Sequence, residues 1–134
     1  MAEHNELGRI GEDEACYYLV RKGYNLRDRN WRFGHLEIDI VAELFGEIIF
    51  VEVKSRSSNE MGEAFRAVTL AKKQNLMAAA REYMKQNRLD GPCRFDIVTV
   101  VGRQVPFEIT HYPFAYTQHS VHDEAHHQKP EFSV

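Results

Sequence analysis

The sequence predicts an α/β fold within one domain, and three stretches of the chain lead to this prediction. A helical pattern of apolar residues covers residues 6–22, and two alternating strand patterns follow between Leu36 and Lys54. A second helical pattern begins after Thr69 and is followed by two further strand patterns. A chain of 134 residues is long enough for one domain with a hydrophobic core.

The first helix is predicted over residues 6–22, and a glycine follows it as a typical C-terminal stop. Glu12 stands at helical spacing with Ala15, Cys16 and Leu19, so an acid lies on the apolar stripe of this helix. Glu12 is either an edge position of that stripe or a further carboxylate that reaches the strands described below. The sequence leaves both interpretations open.

A first strand and a loop are predicted over residues 24–32, where three arginines lie near Trp31, the only tryptophan. Basic residues beside an aromatic ring can hold phosphates and stack on a base, which makes Arg32 a candidate nucleic-acid contact. A core tryptophan with solvated arginines around it is the interpretation that this cluster favours by itself.

The stretch over residues 36–54 is the most informative, because charged residues interrupt two strands rich in β-branched side chains. Glu37 and Asp39 alternate with apolar residues, so their carboxylates share one face of the first strand. Glu52 and Lys54 likewise share one face of the second strand. Antiparallel pairing through the intervening turn brings Asp39 close to Glu52 and Lys54.

Carboxylates and an amine on an otherwise apolar sheet require partners. Clustered carboxylates repel each other, and a divalent cation such as Mg²⁺ relieves the repulsion while leaving positions for water and substrate phosphate. Lys54 can orient a nucleophilic water or neutralise a phosphate. A structural Lys–Glu or Lys–Asp pair on a half-solvated sheet is the alternative, and the additional Asp39 makes that alternative weaker without excluding it.

A polar loop over residues 57–63 follows the second of these strands, and Arg56 at its start is a candidate substrate contact. Two more strands are predicted over residues 95–101 and 105–112. These strands alternate with the second helix, which completes the α/β pattern.

The second helix is predicted over residues 70–88 with Thr69 as its N-cap. Lys72 and Lys73 lie in its first turn, where a positive charge opposes the helix dipole, so a role in binding substrate is favoured for both. Residues 64–94 carry seven basic and two acidic side chains. This excess of positive charge suits a surface that follows phosphates, although a solvated helix face would show it equally.

Residues 117–134 differ in composition from the preceding domain of residues 1–116. They are polar and rich in histidine, and the histidines are His119, His122, His126 and His127. His122 and His126 stand four residues apart and would suit a transition metal if the segment were helical. Because the segment has little apolar material for a core, a disordered tail is predicted instead.

Composition and missing motifs narrow the functional classes. Hydrophobic residues make up 43% and charged residues 28%, as in ordinary globular domains. The acidic N-terminal stretch has no apolar core of a signal peptide, and no apolar run has the length of a membrane span. The two cysteines form no CxxC pair, so a cytoplasmic protein without a membrane partner is expected. Phosphate loops and serine-nucleophile motifs are not found.

Seven short motifs occur in a characteristic order: Gly8-Arg9-Ile10-Gly11-Glu12, Gly23-Tyr24, Arg29-Asn30-Trp31-Arg32, Glu37-Ile38-Asp39-Ile40-Val41-Ala42, Phe50-Val51-Glu52-Val53-Lys54-Ser55-Arg56, Val68-Thr69 with Lys72, and Arg94-Phe95-Asp96. With them the chain resembles the PD-(D/E)xK nuclease superfamily, and specifically its archaeal Holliday-junction resolvase-like branch. It is most similar to the YraN family of uncharacterised bacterial proteins. The resemblance spans about residues 8–115. One departure is Leu36, which stands where the family usually has glycine.

The resemblance implies a restriction-endonuclease-like core, α-β-β-β-α-β-β, with a mixed central sheet flanked by helices. By position it implies that Asp39 and Glu52 hold Mg²⁺ or Mn²⁺ and that Glu12 completes the acidic set. Lys54 would be the catalytic lysine and Glu37 an assisting residue. The candidate nucleic-acid contacts are Arg32, Arg56, Lys72 and Lys73.

Two hypotheses about function follow. The first is metal-dependent hydrolysis of phosphodiester bonds in structured or branched DNA, with a homodimer expected by analogy with the resolvases. The second is a non-catalytic module that keeps the nuclease fold and binds nucleic acid or a protein partner.

Overall fold

The computed structural model describes residues 2–58 and 62–128. In chain order its elements are α1 (Ala2–Arg21), β1 (Asn25–Phe33), β2 (Leu36–Leu44), β3 (Glu47–Arg56), α2 (Glu63–Arg66), α3 (Leu70–Gln86), β4 (Cys93–Val101), β5 (Glu108–Tyr116) and α4 (Gln118–Gln128). Part of the predicted loop over residues 57–63 and the end of the predicted tail lie outside the described residues. Within the two described ranges, no helix is both long and apolar enough to cross a membrane.

Five strands form one mixed sheet in the order β1-β2-β3-β4-β5. Neighbouring strands are antiparallel except for β3 and β4, which are parallel. Parallel neighbours need a crossover connection, and α2 and α3 provide it between these two strands. The structure confirms the predicted α/β class, and its element order contains the α-β-β-β-α-β-β core with α2 and α4 added.

Helices cover both faces of the sheet, and each face has its own hydrophobic cluster. On one face Leu19 of α1 is buried in a cluster with Ile49 and Val51 of β3. On the opposite face Tyr83 of α3 packs against Phe50 of β3, with the rings edge to face and their centroids 5.8 Å apart. The alternating apolar residues of β3 therefore hold the sheet between two helices, which fixes α1 and α3 relative to the same strand.

β2 and β3 diverge at one end, and this fork determines where a cleft forms. Their backbone pairing ends at Ile40 and Val51. Beyond that point β2 continues beside β1, whereas β3 continues beside β4. The next residues on the two strands, Asp39 and Glu52, therefore stand at the fork.

The segment after residue 116 differs from its predicted disorder, because Gln118–Gln128 form α4. Thr117 and Ser120 exchange hydrogen bonds between the backbone N–H of each and the side-chain oxygen of the other, at 2.8 and 3.0 Å. This is the reciprocal arrangement of a capping box. Val121 is buried in the cluster under α3, and Glu124 forms an ion pair with Lys73. The segment is therefore helical despite its polar composition, because the buried Val121, the Thr117–Ser120 cap and the ion pair of Glu124 with Lys73 stabilise it.

Several element boundaries also differ from the sequence predictions, among them those of β5 and α3. Strand β5 covers Glu108–Tyr116 rather than residues 105–112, and its predicted start contains Pro106, which has no N–H to donate to a sheet. Helix α3 ends at Gln86, because Arg88 adopts a positive φ of 54°. The predicted N-cap of α3 is confirmed, since Thr69 Oγ1 accepts a hydrogen bond from the backbone N–H of Lys72.

Candidate functional site

A cleft of about 520 Å³ opens at the fork and extends from β2 and β3 to α1 and β1. It is lined by side chains of both signs, as a site for a metal ion and an anionic substrate requires. The residues singled out from the sequence that line it are Glu12, Arg32, Glu37, Asp39, Lys54 and Arg56.

Asp39 bridges the fork with its side chain. Its Oδ2 atom accepts a hydrogen bond of 2.8 Å from the backbone N–H of Val53, which lies beyond the end of the pairing between β2 and β3. Burial and the neighbouring carboxylate of Glu52, with smaller contributions from Glu12 and Glu37, raise the pKa of Asp39 from 3.8 to about 8. The hydrogen bond from Val53 opposes that rise. Asp39 is therefore a carboxylate held in a place where its charge is costly.

Glu52 and Lys54 form an ion pair beside Asp39. Their Oε2 and Nζ atoms are 3.4 Å apart, and the two side chains are only 15% and 12% exposed. Lys72, from the first turn of α3, lies next to Lys54. The pKa of Lys72 is lowered mainly by contact with the Lys54 amine and, to a smaller extent, by burial. The carboxylates of Glu52 and Asp39 oppose that change. Two carboxylates and two amines thus converge from β2, β3 and α3, and the predicted proximity of Asp39 to Glu52 and Lys54 is observed.

Glu12 occupies a different position at the other side of the cleft. Its Oε1 atom accepts hydrogen bonds from the Arg29 guanidinium at 3.0 and 3.3 Å and from Asn30 Nδ2 at 2.9 Å. Arg29 also contacts Asp13 at 2.8 Å. Its side chain lines the cleft and is only 13% exposed, and its predicted role in the site stays a prediction.

The four candidate nucleic-acid contacts separate into two groups. Arg32 and Arg56 line the cleft; Arg32 is 72% exposed and pairs with Glu37 at 2.8 Å. Lys72 contributes to the centre as described above. Lys73 does not, because it forms an ion pair with Glu124 of α4 at 3.2 Å and lies over the ring of Tyr116. Successive helix residues point about 100° apart, so Lys73 projects toward α4 while Lys72 approaches the fork, and a nucleic-acid contact of Lys73 stays a prediction.

Arg27 and Arg29 of β1 are paired and partly buried, contrary to the solvated arginines that the sequence favours, whereas Arg32 is paired but largely exposed. Arg27 contacts Glu43 at 3.3 Å and Arg29 contacts two acids of α1. Trp31 packs against the core as expected, edge to face with Tyr83 at 5.2 Å. Strand β1 therefore contributes structural ion pairs as well as cleft residues.

The cleft is also lined by polar residues that the sequence did not single out as site residues, among them Arg9, Arg29 and Ser55. Ser55 lies under α1, where a Cβ atom at Gly11 would overlap its Oγ. The glycine lets α1 approach β3 closely and so places Glu12, the next residue, at the cleft. A glycine inside a helix immediately before an unexplained acid was the available signal.

The paired carboxylates of Asp39 and Glu52 fit a hard divalent cation. Asp39 and Glu52 are adjacent, partly buried and mutually repulsive, which a cation would relieve. Mg²⁺ typically takes one or two carboxylates and completes its coordination with water and phosphate oxygens. Among the described residues, no group of three or more acidic, histidine or cysteine side chains is arranged to hold a metal. Glu12 accepts hydrogen bonds from Arg29 and Asn30, and its predicted part in metal binding stays a prediction.

The protein is thus of the α/β class, with a five-stranded mixed sheet flanked by helices in an order compatible with the predicted α-β-β-β-α-β-β core. The chain belongs to the Uncharacterised protein family UPF0102, whose model matches residues 11–100. This confirms the YraN membership that the sequence predicts.

Three relatives show how much of the chain this membership covers. Each aligns with 116 residues, or 87% of this chain. The UPF0102 protein of Phocaeicola vulgatus is 47% identical and is matched over 96% of its length. A UPF0102 protein of Bacteroides fragilis is 49% identical over 96% of its length, and one of Flavobacterium psychrophilum is 43% identical over 98%. None of these names assigns an activity.

Proposed function

We propose that the protein is a metal-dependent endonuclease that hydrolyses phosphodiester bonds in structured or branched DNA. The observation that carries the proposal is the convergence of Asp39, Glu52 and Lys54 at the fork between β2 and β3. A buried carboxylate pair beside an amine is costly to fold, and such groups are typical of functional sites. The open cleft beside them is lined by further cations, which suits an anionic chain.

Each side chain of the site has a role in this chemistry. Asp39 and Glu52 would hold Mg²⁺ or Mn²⁺, which supplies Lewis-acid stabilisation of the charge that develops on the phosphate. Lys54, 3.4 Å from Glu52, can donate a hydrogen bond to a non-bridging phosphate oxygen or to the attacking water. Lys72 beside it would bind an adjacent phosphate, while Arg32 and Arg56 hold flanking phosphates along the cleft.

The test is cleavage of labelled four-way junction, flap, single-stranded and duplex DNA with Mg²⁺, Mn²⁺ or chelator. Lys54→Ala and Asp39→Asn are compared with Lys85→Ala and Asp90→Asn, which change the same residue types at exposed positions away from the cleft. We expect metal-dependent cleavage that falls about 10²–10³-fold in the two site variants, as when a transition-state donor is removed. The two control variants should cleave at the wild-type rate. No cleavage of any substrate with either metal would contradict the proposal.

A second candidate is a non-catalytic module that binds nucleic acid or a protein partner through the same cleft. The position of Glu12 favours it, because Arg29 and Asn30 hold that carboxylate apart from Asp39 and Glu52. This function predicts salt-sensitive DNA binding that needs no metal and survives Lys54→Ala. Binding that requires Mg²⁺ and is lost in Asp39→Asn would exclude it.

A homodimer belongs to the first proposal, since two sites are needed to cut two strands of a junction. Its support is the resemblance to the resolvases. Sedimentation of the protein with and without a four-way junction tests it, with a two-to-one complex expected. A one-to-one complex that nevertheless cuts both strands would contradict it.

A further inference from the structure

Helix α4 has two chemically different faces. Val121 and Glu124 attach it to the domain, the first by burial in the core and the second by its ion pair with Lys73. A second face of α4, distinct from the one that carries Val121 and Glu124, holds side chains at i, i+3, i+4 and i+7 spacing. These side chains are His119, His122, Asp123 and His126.

His122 and His126 lie on consecutive turns of this face. Their Nε2 atoms are 2.9 Å apart, and their ring centroids are separated by 4.3 Å. Both residues are exposed, so water and small ions can reach the ring nitrogens. Neither imidazole contributes to the core or to the cleft at the fork.

The separation of the two nitrogens matches a particular coordination geometry. An imidazole nitrogen binds a divalent transition metal at about 2.0–2.1 Å. Two such nitrogens at a right angle around the metal are then about 2.9 Å apart, whereas a tetrahedral angle places them about 3.3–3.4 Å apart. The observed 2.9 Å is a hydrogen-bond distance between the two imidazoles, and it also equals the spacing of neighbouring positions around a square-planar or octahedral ion.

We propose that His122 and His126 bind a divalent late transition-metal ion, such as Ni²⁺ or Cu²⁺, on the outer face of α4. Imidazole nitrogens suit these ions, and square-planar coordination by nitrogen is typical of Cu²⁺ and Ni²⁺. Waters complete the coordination. The cap formed by Thr117 and Ser120 and the anchor at Val121 hold the helix folded, so the two ligands are positioned before the ion arrives.

This site differs in chemistry from the one at the fork. Carboxylates select Mg²⁺ and Mn²⁺, whereas a pair of imidazoles selects later transition metals. Binding of an ion on α4 therefore does not depend on the proposed nuclease activity, and either one can fail without the other.

Ni²⁺ titrated into untagged protein at about pH 7.5 tests the site by calorimetry. Ni²⁺ is used because the exposed thiol of Cys93 can reduce Cu²⁺. Every protein in the comparison carries His4→Ala, so that the histidine near the N-terminus does not contribute. The double variant His122→Ala/His126→Ala is compared with His35→Ala, which removes an exposed imidazole from the turn between β1 and β2.

We expect one Ni²⁺ per chain on α4, in addition to any ion held by the carboxylates at the fork, and only the α4 ion is lost in the double variant. Losing an outer-shell partner of a metal ligand typically costs about 10–100-fold in affinity, so losing both ligands should cost at least about tenfold. His35→Ala should bind as tightly as its parent. Equal affinity in the double variant, or an equal loss in His35→Ala, would overturn the proposal.

Amide hydrogen exchange gives a second readout that locates the ion. An ion held by two consecutive turns stabilises the helical form of α4, so Ni²⁺ should slow exchange of the α4 amides and Mg²⁺ should not. The double variant should show no such change. Slower exchange elsewhere in the chain, without an effect in α4, would overturn the assignment.

Discussion

The burial of Asp39 beside Glu52 has a cost that can be measured as folding stability. Burial and the Glu52 carboxylate raise the pKa of Asp39 to about 8, so the folded chain resists its ionisation. Asp39→Asn keeps an oxygen that accepts the hydrogen bond from Val53 and removes the charge. We expect the metal-free variant to be more stable by at least about 1 kcal/mol in urea unfolding. Asp90→Asn, at an exposed position, should change stability little.

Addition of Mg²⁺ completes the comparison. An ion that binds only the folded protein stabilises it, so wild-type stability should rise with Mg²⁺ while Asp39→Asn gains less. A destabilised Asp39→Asn protein, or an equal response of both proteins to Mg²⁺, would contradict this account of the site.

Gly11 offers a second prediction at single-residue scale. In Gly11→Ala the new Cβ meets Ser55 Oγ, so α1 must move away from β3. We expect a loss of about 1–3 kcal/mol in the free energy of unfolding, as for overpacked cores. Gly8→Ala is the matched control, because a Cβ there meets no atom within 4 Å and alanine favours a helix. Similar unfolding midpoints for the two variants would contradict the close packing of α1 on β3.

The convergence of Asp39, Glu52 and Lys54 was predictable because strand alternation and one hairpin turn determine it. The partners of Glu12 were not, because they depend on Asn30, whose φ of 51° is unusual for a non-glycine residue. Which of the adjacent Lys72 and Lys73 approaches the fork was not predictable for a related reason, because it depends on how α3 packs. Local periodicity determines which side chains share a face, whereas the packing of elements determines what that face meets.

At the scale of elements, α4 depends on one buried side chain. Val121 is 4% exposed, and its helix otherwise presents a polar surface. In Val121→Ala we expect faster amide exchange in α4 and a loss of about 1–2 kcal/mol or less in global stability, because a terminal helix can open alone. Val20→Ala on α1, where the valine is 54% exposed, is the matched control and should leave exchange unchanged. Unaltered α4 protection in Val121→Ala would show that the anchor lies elsewhere.

Sequence periodicity predicted the first and third helices and the strands with small errors at their ends, because each of these elements has several apolar residues at regular spacing. The segment that forms α4 has a single buried valine, and one apolar residue gives no helical periodicity from which a helix can be predicted. Its cap involves Thr117 and Ser120, where serine stands in place of the usual Glu or Gln of a capping box. Elements that depend on one anchor are therefore the ones that sequence patterns miss.

At the scale of the whole molecule, the mixed sheet accounts for the location of the cleft. Strand β3 changes partners along its length: it pairs with both β2 and β4 in its first half, and only with β4 beyond Val51. The β2–β3 hairpin is therefore unpaired beyond Ile40 and Val51. Strand β3 nevertheless stays extended up to Arg56, because it remains paired with the parallel strand β4. The charged residues of β2 and β3 beyond the paired segment thereby lie around a site that α1 and α3 both approach.

Asp96 joins β4 to β5 and, through His111, to α1, and its charge should make global stability depend on pH. The carboxylate has no exposed surface and contacts Arg94 at 3.0 Å and His111 at 2.7 Å. His111 in turn contacts the Tyr18 hydroxyl of α1 at 3.2 Å. Burial alone would raise the pKa of Asp96, but hydrogen bonds from His111, Arg94 and the backbone N–H of Phe114 outweigh it and leave the pKa below its usual 3.8.

A carboxyl whose folded pKa lies below its unfolded value stabilises the fold above the unfolded pKa. That stability is lost as the pH falls below 3.8 and through the folded pKa. In Asp96→Asn we expect a loss of about 3–5 kcal/mol at neutral pH, since one partner of a buried ion pair is removed. The difference from wild type should shrink as the pH is lowered toward about 3, measured by urea unfolding at each pH. Asp90→Asn should follow the wild-type curve, and a constant difference between Asp96→Asn and wild type would show that packing, rather than charge, holds this network together.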